Sequence, residues 1–176
     1  MAFLKEEFKQ IKAFIFDVDG VLSADISHLN EDGDPIRTTN MKDGYAIRNA
    51  MNNGYEVAII TGGTIERVKL RYEKLGVKHI YMGSFNKLES LVDFLAKTGV
   101  SKSEIVYMGD DIIDYLIMKE VGMPTCPKDA VHEIREISKY ISDKKGGEGC
   151  VRDIVEQVMR AQGNWINENA FYWKTS

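Results

Sequence analysis

Long apolar runs, cysteines, histidines and basic clusters are all scarce in this 176-residue chain. No run approaches the roughly 18 apolar residues that a membrane helix needs, so no membrane span is expected. The first ten residues, "MAFLKEEFKQ", carry acids and no apolar core, and do not read as a signal peptide. The two cysteines, Cys126 and Cys150, lie far apart without metal-type spacing. They are expected to be reduced thiols of a cytoplasmic protein. His28, His79 and His132 are scattered, and each is expected at the surface rather than on a metal. The net charge of -4 and the lack of any Lys/Arg block argue against nucleic acid or an anionic membrane as the main partner.

What the chain does have is alternation. Apolar runs of strand length ("KAFIFDV", "YEVAIIT", "KHIYMG", "EIVYMGDD", "MPTCP", "KYIS") are separated by stretches with helical periodicity. A helix is expected from Asp43 to a stop at Gly54, and another closing at Gly76. A third should be capped by Asn86, a fourth should open at Ile112, and the last is "CVRDIVEQVMRA". This pattern predicts an α/β fold: a doubly wound, mainly parallel, Rossmann-like sheet covered by helices on both faces. Residues 1–176 read as one domain. Two segments break the rhythm. Residues 23–41 hold a polar turn, "NEDGDP", between two short β-tolerant runs, which predicts a projecting hairpin. Residues 163–176 crowd Trp165, Phe171, Tyr172 and Trp173 into a tail without helical period.

In a doubly wound sheet, ligands bind at the carboxyl ends of the strands, so the residues ending each strand carry the chemistry. They are Asp17 and Asp19, then Thr61, Gly62 and Gly63, then Lys87 shortly after Ser84, then Asp110 and Asp111. Acids this dense need a cation, and Mg²⁺ suits an all-oxygen donor set that also meets phosphate. A hydroxyl, an ammonium and free backbone N–H groups at "TGG" suit phosphate oxygens. Asp17 could be a nucleophile that forms an aspartyl-phosphate. Asp19, two residues on and so on the same side of an extended chain, could protonate the leaving alcohol and then activate water. Calcium loops are rejected: counting from Asp17, the sixth and twelfth positions are Leu22 and His28, where Gly and Glu are needed. "KKGGEGC" lacks the ending of a phosphate-binding P-loop.

These residues resemble the haloacid dehalogenase superfamily of phosphohydrolases. The four motifs of that family match "DVDG" at Asp17–Gly20, the Thr61 of "IITG", the Lys87 of "NKL" and "GDDIID" at Gly109–Asp114, in the family's order. The resemblance implies Asp17 as nucleophile and Asp19 as general acid/base. It implies Mg²⁺ held by Asp17, the Asp19 carbonyl and Asp110. Thr61, Gly62 and Lys87 would bind the phosphoryl group, and Asp111 and Asp114 would orient the metal water and the lysine. The spaces between motifs leave no room for a cap domain. Among capless members the resemblance runs from about Ile11 to the C-terminus, through "NMKDGYAI", "YMGSFNK", "CPKDAV" and "GGEGCVRDIVEQV". It implies a small acidic sugar phosphate of the lipopolysaccharide route as substrate, eight-carbon rather than nine-carbon. It also implies a homotetramer in which the hairpin and tail of one subunit reach the next subunit's site. Gly63 stands where many relatives have Arg, and Glu148 in "GGEG" where many have Arg. Arg71 is the candidate grip on the substrate carboxylate, since a guanidinium binds carboxylate through two bonds; Lys42 and Arg152 are weaker candidates. A phospho-accepting receiver-like signalling domain is the alternative from another class, but its nucleophile does not lie on the first strand.

Overall fold

The computed structural model describes residues 2–172. Six parallel strands form one sheet: β1 (Ala13–Phe16), β2 (Glu56–Ile60), β3 (His79–Tyr81), β4 (Ile105–Met108), β5 (Met123–Cys126) and β6 (Tyr140–Ile141). Their order is β3-β2-β1-β4-β5-β6. β1 is central, paired in parallel with β2 on one side and β4 on the other. All four of its residues are buried, which is why "AFIF" reads as an uninterrupted apolar run. The chain winds outward from β1 to β3, then crosses back to β4, so the switch point lies between β1 and β4.

Side chains alternate between the two faces. Phe14 and Phe16 face one side, with Val57, Ile59, Val106 and Met108. That face is covered by α1 (Ala2–Phe8), α2 (Met41–Asn52), α3 (Glu66–Leu75) and α7 (Cys150–Ala161). Ala13 and Ile15 face the other side, under α4 (Lys87–Thr98), α5 (Tyr115–Glu120) and α6 (His132–Ile137). α7 buries Val151, Ile154, Val155, Val158 and Met159, a spacing of three and four that keeps one stripe inward. Gly149, before α7, has no side chain to cap it. Asp43 supplies the cap from α2, with its Oδ1 accepting the Arg152 N–H at 2.7 Å.

Several local expectations need correction. α2 starts at Met41 rather than Asp43, because the Asn40 side chain accepts the Lys42 N–H and caps it there. Asn86 does precede α4, but its amide donates to Glu89 at 2.8 Å and accepts nothing from the helix. The helix expected from Ile112 opens as a 3₁₀ turn, Ile112–Asp114, before α5 begins. α1 was not foreseen. Its Phe8 packs edge-on against Tyr140.

Residues 23–41 project as a hairpin-shaped loop closed by one antiparallel bridge, Leu29 to Pro35, rather than by a ladder. At its base, Thr38 Oγ1 accepts the Ala24 N–H at 2.8 Å and the Thr38 N–H donates to Ser23 Oγ at 2.9 Å. The tail folds onto its own chain as far as Ala170, whose carbonyl accepts the Tyr45 hydroxyl, and a 3₁₀ turn at Glu168–Phe171 was not suggested by its composition. Trp165 is buried, edge-on to Tyr45, with the Arg152 guanidinium over its ring at 5.1 Å. Trp173 lies outside the described residues.

Candidate active site

Strands β1, β2 and β4 and the start of α4 deliver their polar residues to one rim. Asp17 follows β1 directly, and its N–H stays in the sheet by donating to Met108 O. Its Oδ1 accepts the Val18 N–H at 2.6 Å, which turns the carboxylate back over the strand end. Its Oδ2 meets Lys87 Nζ at 2.8 Å. Lys87 is the first residue of α4 and is almost fully buried. The same ammonium donates to Asp114 Oδ1 at 2.6 Å. Asp114 has no exposed surface, and it also accepts the Tyr107 hydroxyl at 2.5 Å and the Asp110 N–H at 3.1 Å. The chain therefore runs Asp17, Lys87, Asp114, Tyr107, with one ammonium shared between two carboxylates.

Asp17, Asp110 and Asp114 each bring a carboxylate oxygen within 4.8 Å of the others. Asp114 already holds three donors, two on Oδ1 and one on Oδ2, and has no exposed surface. The oxygens left for a cation are those of Asp17 and Asp110. Burial, and next the Asp114 charge, push the Asp17 carboxyl up to about 7 against the opposing pull of Lys87. Burial, then Asp17 and Asp114, push Asp110 up to about 8. Two carboxylates held this close in partial burial repel each other, and a divalent cation between them would remove that repulsion. An oxygen-only donor set with open room beside it fits Mg²⁺. Lys87 shows the reverse balance. Burial alone would lower it, but Asp17 and Asp114 outweigh burial and hold it above its ordinary value.

Gly20 makes the arrangement possible. Its φ is +74°, and a Cβ there would fall 1.9 Å from Asp110 Oδ2. Any side chain would evict the Asp110 carboxylate from the β1 loop.

The hollow over these acids is lined by Asp17, Asp19, Thr61, Gly62, Gly63, Lys87, Asp110 and Asp111, together with Asp25, Arg37 and Ile113. Thr61 follows β2, and its Oγ1 accepts the Gly63 N–H at 3.0 Å, which shapes the turn. Asp19 projects outward, half-exposed, with Arg37 donating to both its oxygens at 2.8 and 2.9 Å. Asp111 is exposed, and its Oδ1 accepts the N–H of Ile112. Three candidates lie elsewhere. Arg71 lines a neighbouring groove between the projecting loop and α3. Lys42 and Arg152 line a separate hollow with Lys144 and Glu148. Arg37 and Asp25 were missed. Both sit in the irregular loop, where no periodicity picks out a residue; the one signal for Arg37 was its being the loop's only cation.

Sheet order and strand-end acids together define a Rossmann-like hydrolase with a carboxylate site. Residues 79–154 match the haloacid dehalogenase-like hydrolase family. The chain is 37% identical over 155 residues to 3-deoxy-D-manno-octulosonate 8-phosphate phosphatase of Salmonella typhi, spanning 88% of this chain and 82% of that protein. It belongs to the haloacid dehalogenase-like hydrolases. Among solved structures it is similar to the phosphatase of that name from Moraxella catarrhalis, described in complex with magnesium, phosphate and KDO. There the TM-score is 0.88 at 34% identity, covering 94% of this chain and 95% of the other. It is also similar to the cobalt-bound deoxy-D-mannose-octulosonate 8-phosphate phosphatase of Haemophilus influenzae, with TM-score 0.85 at 27% identity, covering 89% and 92%.

Proposed function

We propose that this chain is a Mg²⁺-dependent phosphatase that hydrolyses 3-deoxy-D-manno-octulosonate 8-phosphate. The observation that carries the chemistry is the pairing of Asp17 and Asp110 at the strand ends, with Lys87 bridging Asp17 to Asp114. The eight-carbon substrate rests on the relatives.

In this reading Asp17 attacks phosphorus through the oxygen nearer the hollow, and the ester oxygen departs with a proton from Asp19. The resulting acyl phosphate on Asp17 is hydrolysed by water that gives its proton to Asp19. Asp17, Asp110 and the Asp19 carbonyl would hold Mg²⁺, which would supply charge neutralisation for phosphoryl transfer. Lys87 and Thr61 bind phosphoryl oxygens, with Gly62 leaving the approach open. Asp114 keeps Lys87 pointed at Asp17, and Asp111 shapes the turn ahead of α5. Arg71 grips the sugar carboxylate from the adjoining groove; its buried Nε has no hydrogen-bond partner among the described residues. Gly63 leaves room for the sugar at the lip, and Lys42, which lines a separate hollow, is assigned no contact.

The same reading makes the protein a cytoplasmic homotetramer. Both cysteines are free thiols. Among the described residues no helix is long and apolar enough to cross a membrane. Ile26, Leu29 and Ile36 stand exposed on the projecting loop, Ile26 at 89%, which is the kind of surface that another copy would cover.

The test is phosphate release across a panel of sugar-acid phosphates with wild type and Asp17→Asn. The eight-carbon ester should lead for wild type, with Asp17→Asn inert. A clear preference for the nine-carbon ester would overturn the substrate, and equal rates for both proteins would overturn the mechanism.

A further inference from the structure

Arg37 is the one described residue that lines both the acid hollow and the groove beside it. Its backbone is fixed from both sides. Thr38 is tied to Ser23 and Ala24, and the Ile36 carbonyl accepts the Ser27 hydroxyl. From that anchored position the guanidinium reaches across to Asp19 and takes both of its oxygens. The turn beneath it has no side chain: a Cβ on Gly63 would lie 3.2 Å from Arg37 Nη2. The guanidinium therefore rests over Gly63, against Asp19, at the border of the two spaces.

The groove on its other side has a distinct character. Its lining includes Arg37, Arg67 and Arg71 and no acidic residue, over an apolar floor that includes Val18, Val68 and Tyr72. A space with three guanidiniums and no carboxylate attracts an anion. Arg37 is thus a cation with two possible partners: Asp19 when the groove is empty, and an anionic group when one is bound there. The Asp19 pair is half-exposed on the carboxylate side. The Arg37 side chain is only 14% exposed and the pair is bidentate, so the guanidinium leaves Asp19 only for a competing anion.

We infer that Arg37 is a specificity switch for the reaction proposed above, on which this inference rests: an acidic sugar in the groove draws the guanidinium off Asp19 and frees that carboxyl for the leaving group. No bond is made or broken beyond the ion pair. A phosphate ester lacking a second anionic group leaves Arg37 on Asp19 and is processed poorly. Arg37 then acts as a positioning residue for Asp19 and a binding residue for the acidic sugar. Discrimination comes from what the substrate carries far from phosphorus.

The decisive quantity is the ratio of kcat/KM for 3-deoxy-D-manno-octulosonate 8-phosphate to kcat/KM for sorbitol 6-phosphate, an alkyl ester without a carboxylate, in wild type and in Arg37→Ala. The acidic ester should lose about 10- to 100-fold, as for a charged hydrogen bond removed. The ester without a carboxylate should gain up to about fivefold as Asp19 is released from its ion pair. Arg37→Lys, which keeps the charge without the fork, should fall between. A ratio that drops by less than about tenfold in Arg37→Ala, whatever happens to the separate rates, overturns the switch. Wild type inert on both esters would instead count against the proposed function. The switch then stands or falls on calorimetric binding of free 3-deoxy-D-manno-octulosonate without Mg²⁺. Arg37→Ala should bind it about tenfold more weakly than wild type; equal affinities would sink the idea.

Discussion

The acid hollow and the adjoining groove share a wall and are built on opposite principles. In the hollow, Lys87 and Asp114 are buried, and each polar atom has a defined partner in the chain Asp17, Lys87, Asp114, Tyr107. In the groove, Arg37 sits on a loop closed by one antiparallel bridge and by side-chain bonds at its base, and Arg71 keeps a buried Nε with no hydrogen-bond partner among the described residues. The hollow is rigid because its charges are desolvated, so a misplaced one would be costly. The groove has a buried floor at Val18 and Tyr72, and three guanidiniums line it with no carboxylate among the lining residues. The difference teaches a division of labour: the interior network sets what is done to phosphorus, and the surface loop sets which molecule presents it.

That comparison can be broken in stages. The largest effect is expected at Asp17, where Asp17→Asn should lower phosphate release at least about 10³-fold in steady-state assays, with the groove's affinity for free sugar acid retained. Asp114→Ala comes next. It leaves Lys87 buried with one partner fewer, and denaturant titration should show a loss of about 3–5 kcal/mol alongside lost activity. In the groove, Arg71→Ala should raise KM for the acidic ester about 10- to 100-fold with a much smaller change in kcat, as expected for binding shared by ground and transition states.

A smaller effect follows from the raised Asp17 and Asp110. A carboxyl whose folded pKa lies above its unfolded value stabilises the fold fully below the unfolded pKa, near 4. That stability is lost as pH rises through the folded values of about 7 and 8. Metal-free protein should therefore lose melting temperature between about pH 4 and pH 8, and Mg²⁺ should restore most of it at pH 8. The same scan on Asp110→Asn should be flatter. The smallest effect is expected on the loop: Ile26→Ser should change monomer stability by no more than about 0.5 kcal/mol, yet shift sedimentation toward smaller species.

The same contrast explains what the sequence disclosed. β1, β2, β4 and α7 were legible because burial on a sheet or a helix face imposes a repeat, as at Val151, Ile154, Val155 and Val158. The acids were legible because they end strands, and in a parallel sheet strand ends converge. Arg37 was not, since an exposed loop imposes no period, and its partner Asp19 lies 18 residues away in sequence. The cap at Asn86 was misread for a local reason. Glu89, three residues on, competes for the amide. α1 escaped notice because seven residues give barely two turns of pattern, and its Phe8 is secured by Tyr140 from the far end of the chain.

The central claim is that Asp17 attacks phosphorus. Borohydride added during turnover of 3-deoxy-D-manno-octulosonate 8-phosphate with Mg²⁺ reduces an acyl phosphate to the alcohol, and mass spectrometry of the digested chain locates it. The account predicts homoserine at position 17 and nowhere else. Reduction at Asp19 or Asp110, or no reduced residue under conditions of sustained phosphate release, would contradict it.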